Sequence, residues 1–161
     1  MDKQEVIVIE SRLGKREVSL DKVITFPRGV IGFEDEREFI LLRIHDESPL
    51  LVLQSMTTPT LGLIVADPFT FVPDYTIHLG DADQTLLKAE SANDIAVLVT
   101  VAIPPGKPED ASLHLLGPIV INHQARLGLQ APQVDRDGPA NVRIHTAEVT
   151  ASAEDDKEAK E

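Results

Sequence analysis

Cysteine and tryptophan are absent from this chain of 161 residues, which has one tyrosine and only five phenylalanines. Without cysteine there are no disulfides, no thiolate metal sites and no thiol nucleophiles, a composition that suits a reducing compartment. With so few aromatics the core must be aliphatic, and a hydrophobic content of 42% supplies the material. Long apolar runs are missing as well; none approaches the roughly 18–20 residues that span a bilayer. The opening MDKQEVIVIES has neither a basic start with a long apolar stretch nor a small-residue cleavage site, so a cytoplasmic protein without signal peptide or membrane segment is expected. Positive charge is in deficit, with 15 Lys and Arg against 27 Asp and Glu and a net charge of −12. Nucleic-acid affinity comes largely from Lys and Arg displacing counterions from phosphates, so direct nucleic-acid binding is disfavoured. A basic protein partner is electrostatically suited to such a surface, and the same charge also serves solubility.

What is present is strand after short strand. EVIVIE (5–10) and EVSL (17–20) flank SRLGK, a hairpin connection in which Gly14 supplies the tight turn. VITF runs into Pro27, and FILLRI (39–44), LLVLQS (50–55) and LGLIVA (61–66) follow, separated by turn-rich HDESP and MTTPT. YTIHL (75–79) alternates as a strand, with Tyr75, Ile77 and Leu79 on one face. GDADQTLLKAE reads as the one short helix, with Asp81 in the capping role, Gln84 three residues on, and an Ala82, Leu86, Ala89 stripe with Leu87 alongside. DIAVLVTVAI (94–103), LHLL, PIVIN, ARLGLQ and NVRIHTAEV (141–149) complete the set. About nine or ten short strands at irregular spacing predict a mainly β, single-domain, antiparallel β-barrel-like fold or a compact sandwich. The domain is expected to occupy residues 1–150, with ASAEDDKEAKE (151–161) as an acidic disordered tail.

Candidate chemistry is thin. Asp67 and Asp74 sit beside Pro68 and Pro73 in GLIVADPFTFVPDY, where aspartate caps turns through its own side chain; a catalytic pair would need carboxylates converging on one cleft. His45, His78, His114, His123 and His145 form neither H-x-x-x-H nor H-E-x-x-H. His114 and His123 would make a metal or hydrolase site only by meeting across paired strands. No G-x-S-x-G elbow and no phosphate loop occurs. The reading is therefore a non-enzymatic binding module without cofactor or metal. Within PRGVIGFEDEREF, Phe33 and Glu34 offer an aromatic anchor among acids, as interfaces often do; Phe33 as a core plug is the alternative.

VITFPRGVIGFEDEREFILL, LVLQSMTTPTLGLIVADPFTFVPDY and GPIVIN followed by Gln130 together resemble the flagellar assembly factor FliW family, in order and across most of residues 17–130. The resemblance implies a small β-barrel-like protein, monomeric when free, that binds the carbon storage regulator CsrA and also flagellin. CsrA is an RNA-binding dimer that represses flagellin mRNA, and the implied mechanism is a partner switch that relieves repression. Phe33 and Glu34, with the strand-end residues Leu53 and Gln54, are the candidate partner-binding residues. A generic β-barrel adaptor, or a small hydrolase or metal enzyme using His114 and His123, are the competing readings. Deleting residues 151–161 is expected to leave the Tm nearly unchanged, because the segment offers no apolar surface to offset the entropy of ordering. A fall of about ten degrees, which for a domain this size means several kcal/mol, would show instead that the tail docks.

Overall fold

A computed structural model of the chain describes residues 5–44, 48–107, 110–133 and 140–144. His45, His145 and the acidic tail lie outside the described residues. The N-terminal hairpin forms where alternation and glycine place it: β1 (Val6–Ser11) pairs antiparallel with β2 (Gly14–Ser19) through the two-residue turn Arg12–Leu13. Gly14 has φ +93, a backbone state that side chains rarely adopt. Ser11 Oγ donates to the Gly14 carbonyl at 2.7 Å and accepts from Leu13 N at 3.0 Å, closing the turn from inside.

The other strands are β3 (Ile24–Thr25), β4 (Glu38–Arg43), β5 (Leu50–Ser55), β6 (Gly62–Ala66), β7 (Ile95–Ala102), β8 (Ser112–His114), β9 (Ile119–Asn122), β10 (Leu127–Gln130) and β11 (Asn141–Arg143). Hydrogen bonding runs β7-β6-β5-β4-β3-β10-β9, and β9 pairs again with β7, so these strands close into a barrel. Closure removes the open edges that a sheet of this size would otherwise expose. β8 also pairs with β7, and β11 with β8. β8 and β9 are two halves of one run along β7: the three steps from Leu98 to Val101 face the six from Ile119 back to Leu113. The extra residues form a bulge at Leu115–Pro118.

Alternation sorts the side chains into an inside and an outside. Inside lie Ile24, Phe26, Phe39, Leu53, Val65, Leu98, Ile119 and Ile121. Phe26 and Phe39 meet edge-on, with ring centroids 5.2 Å apart, a favoured aromatic geometry. Gly128 faces the Phe26 ring so closely that a Cβ would lie 2.6 Å from Cζ. Outside, the β1–β2 hairpin covers Ile40, Leu42 and Val52 with Leu13 and Val18. Tyr75 and the β8 strand cover Leu50, Ala66, Val99 and Val101.

Among the described residues the one parallel contact, β3 against β10, is a single pair, Thr25 opposite Leu127. It is pinned by Arg126, which adopts φ +58. The Arg126 carbonyl accepts from Thr25 N at 2.9 Å, and its guanidinium donates to the His123 carbonyl at 3.0 Å and to the Lys22 carbonyl. Its Nε is buried without a protein partner. Burial lowers the Arg126 pKa from its ordinary value, with nearby Asp21 pulling the other way.

Several sequence expectations change in detail. The helix is α2 (Asp81–Leu87), following a one-turn α1 (Pro68–Phe71) that the sequence reading did not anticipate. The cap of α2 is Gly80, not Asp81, and the Gln84 side chain donates through Nε2 to the Leu79 carbonyl instead of accepting from a cap N–H. Its buried contact is Leu87, packed on Val120, Leu129 and Ala131, while Ala82 is exposed. Residues 75–79 keep the expected alternation but are not a strand. The reason is that their partner is a side chain: Gln133 Oε1 accepts from His78 N at 2.7 Å and Nε2 donates to the His78 carbonyl at 2.9 Å.

Gly128→Ala is expected to cost about 1–3 kcal/mol, the usual penalty for forcing a methyl into a packed core. Urea unfolding measures it, and an unchanged midpoint would mean that the Phe26 ring yields freely.

Candidate protein-interaction surface

The PRGVIGFEDEREF segment folds as a compact loop between β3 and β4. Gly29 and Gly32 have φ +69 and +89, and a Cβ at Gly29 would meet the Glu34 backbone at 2.5 Å. Gly29 N donates to the Phe26 carbonyl at 2.8 Å, Phe33 N to the Val30 carbonyl at 2.6 Å and Glu36 N to the Phe33 carbonyl at 3.0 Å. Gly32 N also donates to Glu34 Oε2 at 3.1 Å, and Arg37 Nε to the Glu34 carbonyl at 3.1 Å. Val30 is driven inward while Ile31 and Phe33 point outward, 58% and 41% exposed. Phe33 is exposed and does not plug the core; Phe26 fills the core instead. A rigid loop that already presents an aromatic side chain avoids part of the ordering cost of association.

The base of the loop is polar and closed. Ser55 Oγ donates to Glu36 Oε1, and Thr58 Oγ1 donates to Glu36 Oε2 at 2.8 Å. Ser55 Oγ in turn accepts from Thr57 N and Thr58 N at 3.0 and 2.9 Å. Leu53 and Gln54 lie beneath the surface, both fully buried. Leu53 faces the barrel interior. Gln54 Oε1 accepts from Arg12 N at 2.9 Å, and Nε2 donates to the Ser55 and Pro59 carbonyls, each at 3.1 Å, and to that of Thr58 at 3.3 Å. One amide thus ties the hairpin turn to the β5–β6 turn. Of the four candidate residues, Phe33 and Glu34 are on the surface and Leu53 and Gln54 support it from below.

The remaining candidates fall apart in space. Asp67 caps α1, accepting from Phe69 N at 2.8 Å, and Asp74 is exposed in the turn beyond it. His114 does not meet His123 across paired strands, because β8 and β9 lie end to end on β7. His114 sits level with Thr100, its Nδ1 3.3 Å from Thr100 Oγ1, and His123 follows Asn122, which pairs with Ile95. At about 3.3 Å per strand residue, the five to six steps along β7 put the two positions roughly 17–20 Å apart. Among the described residues no group of three or more His, Asp or Glu is placed to hold a metal ion, and no helix is long and apolar enough to cross a membrane. A groove of about 320 Å³ lies between residues 77–79 and the end of α2, with His78 and Glu90 among its lining.

The family model described as FliW protein matches residues 7–144. The chain belongs to the FliW family. It is 49% identical over 152 residues to the flagellar assembly factor FliW of Nitratidesulfovibrio vulgaris, covering 94% of this chain and 88% of that one. The namesake from Desulfovibrio desulfuricans is 51% identical over 148 residues, covering 91% and 89%; that of Bacillus pumilus is 34% identical over 139, covering 86% and 94%. A crystal structure of the flagellar assembly factor FliW superimposes with a TM-score of 0.79 at 30% identity, covering 87% of this chain and 98% of that one. The FliW fold thus accounts for the barrel.

Residues that sequence reasoning missed are amides with distant partners. Gln133, Asn122 and Gln130 each bridge separate segments; Asn122, at the end of GPIVIN, and Gln130 stood out only as part of the family pattern, and Gln133 not at all. Asn122 Nδ2 donates to the Leu87 carbonyl at 2.9 Å, and its Oδ1 accepts from Gln124 N and Ala125 N, both at 3.1 Å. It closes α2 and turns β9 into β10 at once.

Gln54→Ala is expected to destabilise the fold by about 3 kcal/mol or more, since each buried group left unpaired costs roughly 1–3 kcal/mol. Glu34→Gln, on the surface, should stay within about 0.5 kcal/mol of the parent. Equal unfolding midpoints for the two variants would refute the division between support and surface.

Proposed function

We propose that this chain is a cytoplasmic, non-enzymatic flagellar assembly factor working by partner exchange. It binds the carbon storage regulator CsrA, lifting repression of flagellin mRNA, and it binds flagellin while that protein accumulates. The observation that carries the reading is membership of the FliW family over residues 7–144, whose relatives bear the name flagellar assembly factor. The physics is compatible at each step. A repressor that holds RNA needs a basic working surface, and a chain of net charge −12 meets such a surface with complementary potential. The rigid loop presenting Phe33 and Glu34 is the proposed shared contact, and Leu53 and Gln54 act by holding its foundation.

Exclusion does not follow from size. A standard interface takes roughly 800 Å² from each partner, and the described surface of 9041 Å² has room for two. Exclusive binding therefore requires overlapping sites or a coupled change of shape, and overlap on the Phe33 loop is the simpler device. Saturating flagellin added to a preformed complex with CsrA should release CsrA in proportion to the flagellin bound. A stable ternary complex on gel filtration would overturn the exchange, and failure of the chain to bind either protein would overturn the function.

A further inference from the structure

Three exposed apolar side chains sit on two loops that are remote in sequence. Ile31 and Phe33 are on the 27–37 loop, and Leu116, 41% exposed, is on the bulge between β8 and β9. One side chain joins the loops. Gln130 Oε1 accepts from Ile31 N at 3.0 Å while its Nε2 donates to the Gly117 carbonyl at 2.8 Å. The fit is close: a Cβ on Gly117 would stand 2.9 Å from Gln130 Nε2. The bulge is held from its other side by Gln133 N on the Leu116 carbonyl at 2.7 Å and Ala131 N on that of Pro118 at 2.9 Å. A further tie, Arg28 to Asp83 at 3.0 Å, fixes the 27–37 loop to α2.

We infer that Ile31, Phe33 and Leu116 form one composite docking surface for the basic repressor, held in register by Gln130 as a positioning residue. This rests on the reading above and extends it to the second loop. The fitting partner feature is an apolar side chain flanked by lysine or arginine. Apolar side chains on well-ordered loops are the usual anchors of an interface. The charge around them selects a basic neighbour: Glu34, Asp35 and Glu38 are exposed, whereas Arg28 is paired with Asp83 and Arg37 Nε is turned back onto the Glu34 carbonyl. Gln130 ties the two loops directly to one another, and without it the patch divides into halves.

The test is titration calorimetry of the full chain with the purified repressor dimer, alongside the Tm of each variant. Ile31→Ser, Phe33→Ser and Leu116→Ser remove exposed side chains and should weaken binding about tenfold each, as interface anchors do, with Tm nearly unchanged. Gln130→Ala and Gly117→Ala, on different segments, should weaken binding similarly. A positioning role further requires non-additivity: Gln130→Ala should add little once Ile31 and Leu116 are both serine. Val8→Ser, removing a still more exposed apolar side chain from the outer hairpin face, should leave affinity unchanged. Parent binding with the patch variants within about twofold of it, a negligible 0.4 kcal/mol, would overturn the surface alone. So would equal weakening by Val8→Ser. Absence of binding by the parent would overturn both this surface and the function on which it rests.

Discussion

Everything in this molecule depends on closing the barrel at its narrowest seam. β3 is two residues long and meets β10 in parallel through one residue pair, much less backbone pairing than at any antiparallel joint between β4, β5 and β6. A parallel contact this short contributes little on its own. Arg126 compensates from a left-handed backbone position, its carbonyl extending the ladder to Thr25 and its guanidinium clasping the Lys22 and His123 carbonyls. The seam lies next to the 27–37 loop in the chain, so the strand that closes the barrel also launches the loop that presents Phe33. Barrel closure and the placement of this loop share a foundation, and the polar side chains at its base are engaged internally.

The inner face of that foundation shows how an aliphatic sequence manages with few rings. Phe26 and Phe39 stack edge-on at the centre, and Gly128 removes its own side chain to make room. The surrounding buried Ile, Leu and Val side chains come from strands β3, β5, β6, β7 and β9 and from Val30 of the loop. Aliphatic packing fills the volume, whereas hydrogen-bonded amides decide which segments adjoin. Gln54, Asn122, Gln130 and Gln133 each hold two or more backbone groups of remote segments. A buried amide of this kind contributes modestly when satisfied and costs heavily when any partner is lost, so these residues specify the arrangement more than they strengthen it.

Much of this was readable from local pattern. Apolar runs between turn residues located β1 and β4 to β7 to within a residue, and Gly14 marked the hairpin turn, although β2 starts at Gly14, three residues before the expected Glu17. Asp67 was read as punctuation and caps α1. What local pattern does not encode is pairing with a side chain instead of a strand. Tyr75–Leu79 looks like a strand because its side chains alternate between inside and outside, yet Gln133 replaces the ladder. The position of His114 relative to His123 depends on whether β8 and β9 pair or run in series, which turns on a bulge that no spacing announces. Leu53 and Gln54 looked like strand-end surface residues, and a barrel wall covered on its outer face by the hairpin buries them both. Phe33 was undecidable locally, because exposure depends on Phe26 having already filled the core.

Tyr75 is the sole tyrosine in a chain without tryptophan, so its near-ultraviolet signal is not masked by a stronger chromophore. Its ring is buried on the outer face of the barrel, its hydroxyl donates to the Leu115 carbonyl at 2.6 Å, and Phe69 lies 6.0 Å away. That hydroxyl bridges the 67–75 excursion to the segment leading into the bulge. The protein therefore carries a built-in optical gauge: tyrosine emission and circular dichroism report whether this excursion is docked, in the unmodified chain. Any partner whose arrival shifts the bulge would be visible by its effect on one phenol.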